Sequence, residues 1–238
     1  MLCSRADTRL IFVSAILSAF VLSHGNITAA TITGGVWHLD APPKSAPVKV
    51  TKDQDYCGEM LPNETYIIDS NRGLKNVVVF LETAPATIAD TQKLHIMEND
   101  GCRYAPRIMA MQKGERLRII NKDPKLHIPH AYLREKTVFM LSLPFKNTAL
   151  AATQKIREAG ILKLVCDTHA WMLGYLHVFD HPYFSITDEN GMFTIRNVSA
   201  GTYILSAWHE EAGVLRQEIV VPERDDLSVA FTYRKDKP

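Results

Sequence analysis

From residue 31 onward, hydrophobic and polar positions alternate in short runs separated by turn-forming residues. That period of two is the signature of half-buried strands. The runs fall at 31–37, 48–51, 66–68, 76–81, 94–97, 108–112 and 117–120. The run at 76–81 is apolar almost throughout, as in a strand covered on both faces. Two more runs, 161–165 and 175–179, bracket a short loop. Beyond residue 184 the turn cluster Asp188-Glu189-Asn190-Gly191 and the pair Ala200-Gly201 separate about five further strands. The stretch 149–159 is the one helix expected, stopped at Gly160. The pattern predicts an all-β protein.

Residues 1–30 break this pattern. Arg5 and Arg9 accompany an apolar run at 10–22, and Ala29 and Ala30 supply small residues for cleavage. This is the layout of a secretory signal peptide. A run of about 13 apolar residues is short of the roughly 20 that a membrane span needs. Export with cleavage after residue 30 is expected, to the periplasm or beyond, with no membrane span in the mature chain. The whole chain has a formal net charge of +1. Removing Arg5, Arg9 and Asp7 from 27 basic and 26 acidic residues leaves 25 of each. A neutral chain of this kind is not expected to bind nucleic acid or anionic lipid.

Cys3 would leave with the first segment, so Cys57, Cys102 and Cys166 remain. An odd cysteine in an oxidising compartment is a flag. If a metal holds Cys166, Cys57 and Cys102 are free to form a disulfide. Otherwise Cys166 pairs with one of them and no site exists.

The loop between 161–165 and 175–179 reads Cys166-Asp167-Thr168-His169-Ala170-Trp171-Met172-Leu173-Gly174. Taken singly, a loop Met is packing, a His after a strand is a surface residue and Cys166 is a buried thiol. Together, a thiolate, an imidazole and a weak axial thioether form the ligand set of a blue-copper electron-transfer site, which needs a second histidine. His127 and His130, in Leu126-His127-Ile128-Pro129-His130, are the candidates. Their odd offset puts them on opposite faces in regular strand geometry, and His127 is the preferred ligand. A binuclear copper site would need a second loop cysteine and a multicopper oxidase several His-x-His pairs; the sequence has neither. Zinc suits Cys-His-His, yet a Met at this spacing favours copper.

The Cys-x2-His-x2-Met loop, with Gly114, Ile120-Asn121 and Leu126-His127-x2-His130 upstream, resembles the cupredoxins, and the amicyanins most closely among them. The resemblance spans about 102–179. It implies one type 1 copper per chain, held by His127, Cys166, His169 and Met172, with His130 matching a second histidine that is not a ligand. It also implies that the edge of His169 reaches the surface in an apolar docking patch that includes Ala170, Trp171 and Leu173. Two positions depart from the pattern. Ile128 stands where an Asn ties the two ligand loops together, so Asp167 or Thr168 is the candidate for that tie. Ala170 stands in place of a Pro.

The spacing Thr187-Asp188-Glu189-Asn190-Gly191-x-Phe193-x-Ile195, continued through Gly201, Tyr203, Leu205 and Trp208-His209, resembles the carboxypeptidase regulatory-like, or prealbumin-like, β-sandwich. Five strands are few for a sandwich, for which about seven is typical. Residues 31–84 carry roughly four more. The expected architecture is a Greek-key cupredoxin sandwich at 85–180, inserted into a prealbumin-like sandwich made of 31–84 and 181–238. Consecutive domains at 31–181 and 182–238 are the alternative. His209 and Glu210 are adjacent and face opposite ways on a strand, which makes them an edge or interface feature rather than an acid–base pair. His38, His177 and His181 are further histidines that could supply a second metal site.

Together the resemblances imply an exported carrier, not an enzyme, since four protein ligands leave no open position on the metal. Its partners would be redox proteins such as a dehydrogenase or a c-type cytochrome. Two other readings stand beside it: a carbohydrate- or protein-binding sandwich with the cupredoxin as scaffold, and a copper storage or delivery protein.

Overall fold

The computed structural model describes residues 29–40, 45–87, 92–147 and 154–234. The expected signal peptide, up to residue 28, and the first half of the expected helix lie outside these residues. Along the described chain run β1 (Ala30–His38), β2 (Val48–Lys49), α1 (Gln54–Cys57), β3 (Met60–Leu61), β4 (Val78–Leu81), β5 (Leu94–Asp100), β6 (Arg103–Ala105), β7 (Ile108–Gln112), β8 (Arg116–Asn121) and β9 (Pro129–Leu133). There follow β10 (Lys136–Met140), β11 (Gln154–Lys155), β12 (Gly160–Cys166), β13 (Leu173–Phe179), β14 (Phe184–Ile186), β15 (Met192–Val198), β16 (Gly201–His209), β17 (Gly213–Val221) and β18 (Leu227–Tyr233). The all-β expectation holds.

Two sheets come from the two ends of the chain. In the first, β1 lies between β15, antiparallel, and β18, parallel. The second has the order β14-β4-β16-β17. Alternation decides which side chains face inward: along β18, Val229, Phe231 and Tyr233 are buried while Ser228, Ala230 and Thr232 are exposed. With Ile32, Val79, Leu81, Phe193 and Leu205 they form one apolar core. The turn into β15 depends on Gly191, at φ 75°, where a Cβ would come 2.5 Å from the Val36 carbonyl oxygen.

The middle of the chain forms a second core between the sheets β10-β9-β12-β13-β7 and β11-β8-β5-β6. Met97, Met111, Leu117, Ile119, Leu162 and Leu176 fill it. β12 pairs with β13 on one side and β9 on the other, with Cys166 opposite Pro129. The strand ending in Cys166 and the segment that follows His127 are therefore direct neighbours.

The described part of 149–159 is not helical. Gln154 pairs with Leu117 at the edge of a sheet, and Ile156 is buried in the second core. An open sheet edge offers backbone partners, and that outweighs a local helical preference. Gly160 opens β12 instead of capping a helix; at its φ of 138° a Cβ would lie 2.7 Å from Leu133 Cδ1.

Residues 48–64, grouped in the sequence reading with the first sandwich, join neither of its sheets. β2 and β3 pair only with each other. Val50, Cys57 and Leu61 pack with Cys102 and Trp171 in a small third core, and a disulfide joins Cys57 to Cys102. Two-residue strands bury too little to stand alone, so this strap is held by what lies beneath it. Elsewhere the two large cores meet at Arg107, whose guanidinium grips Glu210 at 2.7 and 2.6 Å. Phe179 packs against Phe80 and Phe184 at the same junction. No helix among the described residues is long and apolar enough to cross a membrane.

Candidate metal centre

The β9–β12 pairing brings the His127 segment against the loop that follows β12. His127 Nδ1 and His169 Nδ1 each lie 3.8 Å from Cys166 Sγ, and 3.1 Å from each other. His127 and His169 are 0% exposed and Cys166 is 3% exposed. These three are the group of converging metal donors among the described residues. Met172 is buried in the same core, and its N–H donates to the His169 carbonyl at 2.9 Å.

The spacing fits a metal. A cation about 2.0–2.1 Å from nitrogen and about 2.3 Å from sulfur, at trigonal angles, separates the sulfur from each nitrogen by about 3.8 Å. Nitrogens 3.1 Å apart subtend about 98° at such an ion. The outer ring atoms reinforce the point. His127 Nε2 lies 2.9 Å from Asp123 Oδ2, and His169 Nε2 lies 3.0 Å from Asp53 Oδ2. A carboxylate accepts only, so each Nε2 carries the proton and donates it. In neutral rings both Nδ1 lone pairs then face each other and the sulfur. A cation between them resolves that arrangement, and soft sulfur with two imidazoles suits copper or zinc.

The charges are arranged accordingly. Burial opposes ionisation of Cys166, but contacts with His127, His169 and Thr168 and the Ile128 N–H overcome it and hold the thiol pKa down at about 5. Burial also works against a charged His127, yet its bonds to Asp123 and Cys166 raise its pKa above the ordinary value. Asp123 is buried, which by itself would raise its pKa; donation from His127, Cys102 N, Tyr56 and Gly101 N lowers it instead. The bond to His169 is the main reason that Asp53 is likewise lowered.

Thr168 and Asp167 each make a hydrogen bond from one loop to the other. Thr168 Oγ1 donates to the Leu126 carbonyl at 2.9 Å and lies 3.1 Å from Cys166 Sγ. Asp167 N–H donates to the Ile128 carbonyl at 3.1 Å, and the Asp167 carboxylate meets His130 Nδ1 at 3.0 Å. His130 stays out of the centre. Its ring stacks on Tyr132, and its Nε2 lies 2.9 Å from Thr137 Oγ1.

The docking patch differs from expectation. Ala170 is exposed, but Trp171 and Leu173 are only half-exposed. Trp171 donates Nε1–H to the Cys102 carbonyl beneath the strap. The His169 edge does not reach the surface, because Asp53 of the strap covers it. The other histidines lie apart. His177 packs on Trp208, His38 on Tyr66, and His181 Nδ1 accepts the Tyr183 N–H. His209 ends β16 and Glu210 lies in the turn that follows, and the two diverge: His209 Nε2 meets the Thr65 carbonyl at 3.0 Å, while Glu210 holds Arg107.

Asp123 and Asp53 are the site residues that sequence reasoning missed. Asp123 stands four residues before His127, a spacing that could have drawn attention to it. Asp53 is separated from His169 by 116 positions and carries no local signal.

The family model for polysaccharide lyase family 4, domain II, matches residues 157–228, under a third of the chain. That stretch starts just before β12 and ends in β18, so it crosses from one core into the other. No curated protein matches. Among solved structures, a reduced amicyanin variant is 17% identical, covering 42% of this chain and 97% of its own at a TM-score of 0.30. A purple cupredoxin from Nitrosopumilus maritimus is 21% identical over 37% of this chain and 99% of its own, also at 0.30. A copper-containing nitrite reductase from Thermus scotoductus is 13% identical over 42% of this chain and 25% of its own, at 0.31. Scores this low carry no functional argument. The case for a metal rests on the donor geometry.

Proposed function

We propose that this protein is an exported type 1 copper protein that carries single electrons between redox partners and turns over no substrate. The convergence of His127 Nδ1, His169 Nδ1 and the Cys166 thiolate in one buried cluster carries the reading. Bound copper would supply a one-electron couple, Cu(I)/Cu(II). Cys166, His127 and His169 would hold it, with Met172 as a further, weaker donor. The same buried donors, tied by Thr168 and Asp167, leave little room for movement when the charge on the metal changes. In this reading residues 85–180 are the copper unit, 31–47 and 181–238 with 65–84 are the prealbumin-like sandwich, and residues 1–30 are the export signal.

The test is copper titration of the protein beside Cys166→Ala. An intense thiolate-to-copper visible band with narrow hyperfine splitting, present in the wild type and absent in the variant, is expected. A colourless protein with stoichiometric Cu(II) bound elsewhere would overturn the reading. The match of 157–228 to a polysaccharide lyase domain favours a second role, carbohydrate binding by the sandwich, which a glycan array would test independently of copper.

A further inference from the structure

Resting on that copper reading, we infer that Asp53, delivered by the strap from outside the metal-binding core, is a positioning residue that acts on the metal through His169.

The strap is built to hold this carboxylate in place. Asp53 has φ 54°, a left-handed backbone that Asp tolerates better than most residues. Its carbonyl accepts the N–H groups of Tyr56 and Cys57 at 3.0 and 2.9 Å, and Gln54 Nε2 donates to the Val50 carbonyl at 2.8 Å. One turn later Cys57 is bonded to Cys102, whose N–H donates to Asp123. The Tyr56 hydroxyl donates to the same Asp123 at 2.9 Å. A single turn therefore reaches the outer nitrogen of both histidines, His169 through Asp53 directly and His127 through Tyr56 and Asp123. Lys125 braces Asp53 from the solvent side at 3.4 Å.

The Asp53 bond has three consequences. It keeps the His169 proton on Nε2 and the lone pair on Nδ1 turned inward. It adds negative charge beside the imidazole, which makes the ring a stronger donor and favours the more highly charged metal state. It also covers the ring edge, so that an electron leaving through His169 passes by way of Asp53 instead of a bare imidazole.

The experiment compares the full-length wild type with Asp53→Asn, Asp53→Ala and Asp53→Glu, and with Asp55→Asn as a neighbouring control. Asp55 is exposed and, among the described residues, pairs with Lys125. Three quantities are measured: the reduction potential of the copper-loaded forms, their Cu(II) and Cu(I) affinities, and the imidazole ¹⁵N signals of the metal-free forms. Asp53→Asn and Asp53→Ala are expected to lower Cu(II) affinity about 10–100-fold, with a smaller change for Cu(I), and so to raise the potential. In metal-free Asp53→Ala the His169 Nε2–H signal loses its protection from exchange. Asp53→Glu restores part of each effect, and Asp55→Asn leaves all three unchanged. If the Asn and Ala variants keep the blue band, potential and tautomer of the wild type, Asp53 only packs: the inference falls and the carrier reading stands. If the wild type itself forms no blue band, the carrier reading falls and takes the inference with it.

Discussion

Two pairs of histidines are buried to 2% exposure or less, and the protein treats them in opposite ways. In the candidate metal centre His127 and His169 each give Nε2 a carboxylate and turn Nδ1 toward a thiol. At the junction of the two large cores His177, on β13, packs edge-on against Trp208 of β16, and its Nε2 has no hydrogen-bond partner among the described residues. Burial alone takes the His177 pKa down to about 3. His209 uses both nitrogens on backbone groups, donating to the Thr65 carbonyl and accepting from Glu211 and Ala212 N–H. Burial takes its pKa down to about 4. Burial by itself thus makes a histidine a neutral packing group. A carboxylate on the far nitrogen suits it to be a metal donor, because it fixes the tautomer and would balance the charge of a cation.

The largest break in this contrast comes from Asp123. In Asp123→Ala the His127 ring, the Gly101 and Cys102 N–H groups and the Tyr56 hydroxyl all lose their acceptor. Metal-free protein is expected to lose about 4 kcal/mol in urea unfolding, and Asp123→Asn, which keeps one acceptor, clearly less. Removing the disulfide with Cys57→Ser and Cys102→Ser costs a similar amount, about 4 kcal/mol for a pair separated by 45 residues. Hydrogen exchange should quicken in the strap and leave the β1–β15 amides unchanged.

His177 and His209 respond to pH. Their folded pKa values lie below the ordinary histidine value of about 6.5. Between those limits the unfolded chain binds more protons, so stability is full above about pH 6.5 and falls as the pH drops toward about 4. His177 is expected to contribute roughly 2–3 kcal/mol to that loss. Urea midpoints of His177→Phe across that range should show a flatter profile than the wild type. Thr168→Val is the smallest change. It removes the bond to Leu126 and the contact with Cys166 at about 1 kcal/mol, and a measurable shift in thiolate band energy would mark Thr168 as the tie between the loops.

Much of this was legible in sequence because it is local. The alternation in β18 and the apolar run of β4 mark strands whatever they pack against, and Cys166, His169 and Met172 sit within one loop whose spacing limits where their side chains can go. What is set by distant partners could not be seen. β11 takes a strand conformation because the edge of β8 is open, although its own residues suit a helix. The strap 48–64 looks like part of the sandwich by pattern, yet it lies against Cys102 and Trp171.

Local pattern was enough to establish an all-β chain, a Cys-His-Met loop between two strands, and a histidine segment upstream able to meet it. Tertiary structure alone decided that His127 and not His130 turns inward, that Asp123 and Asp53 take the outer nitrogens, and that the His169 edge is covered. The physical reason is range. Period-two burial and loop spacing act between near neighbours, whereas a carboxylate 116 residues away is brought to a histidine only by a disulfide and a shared core.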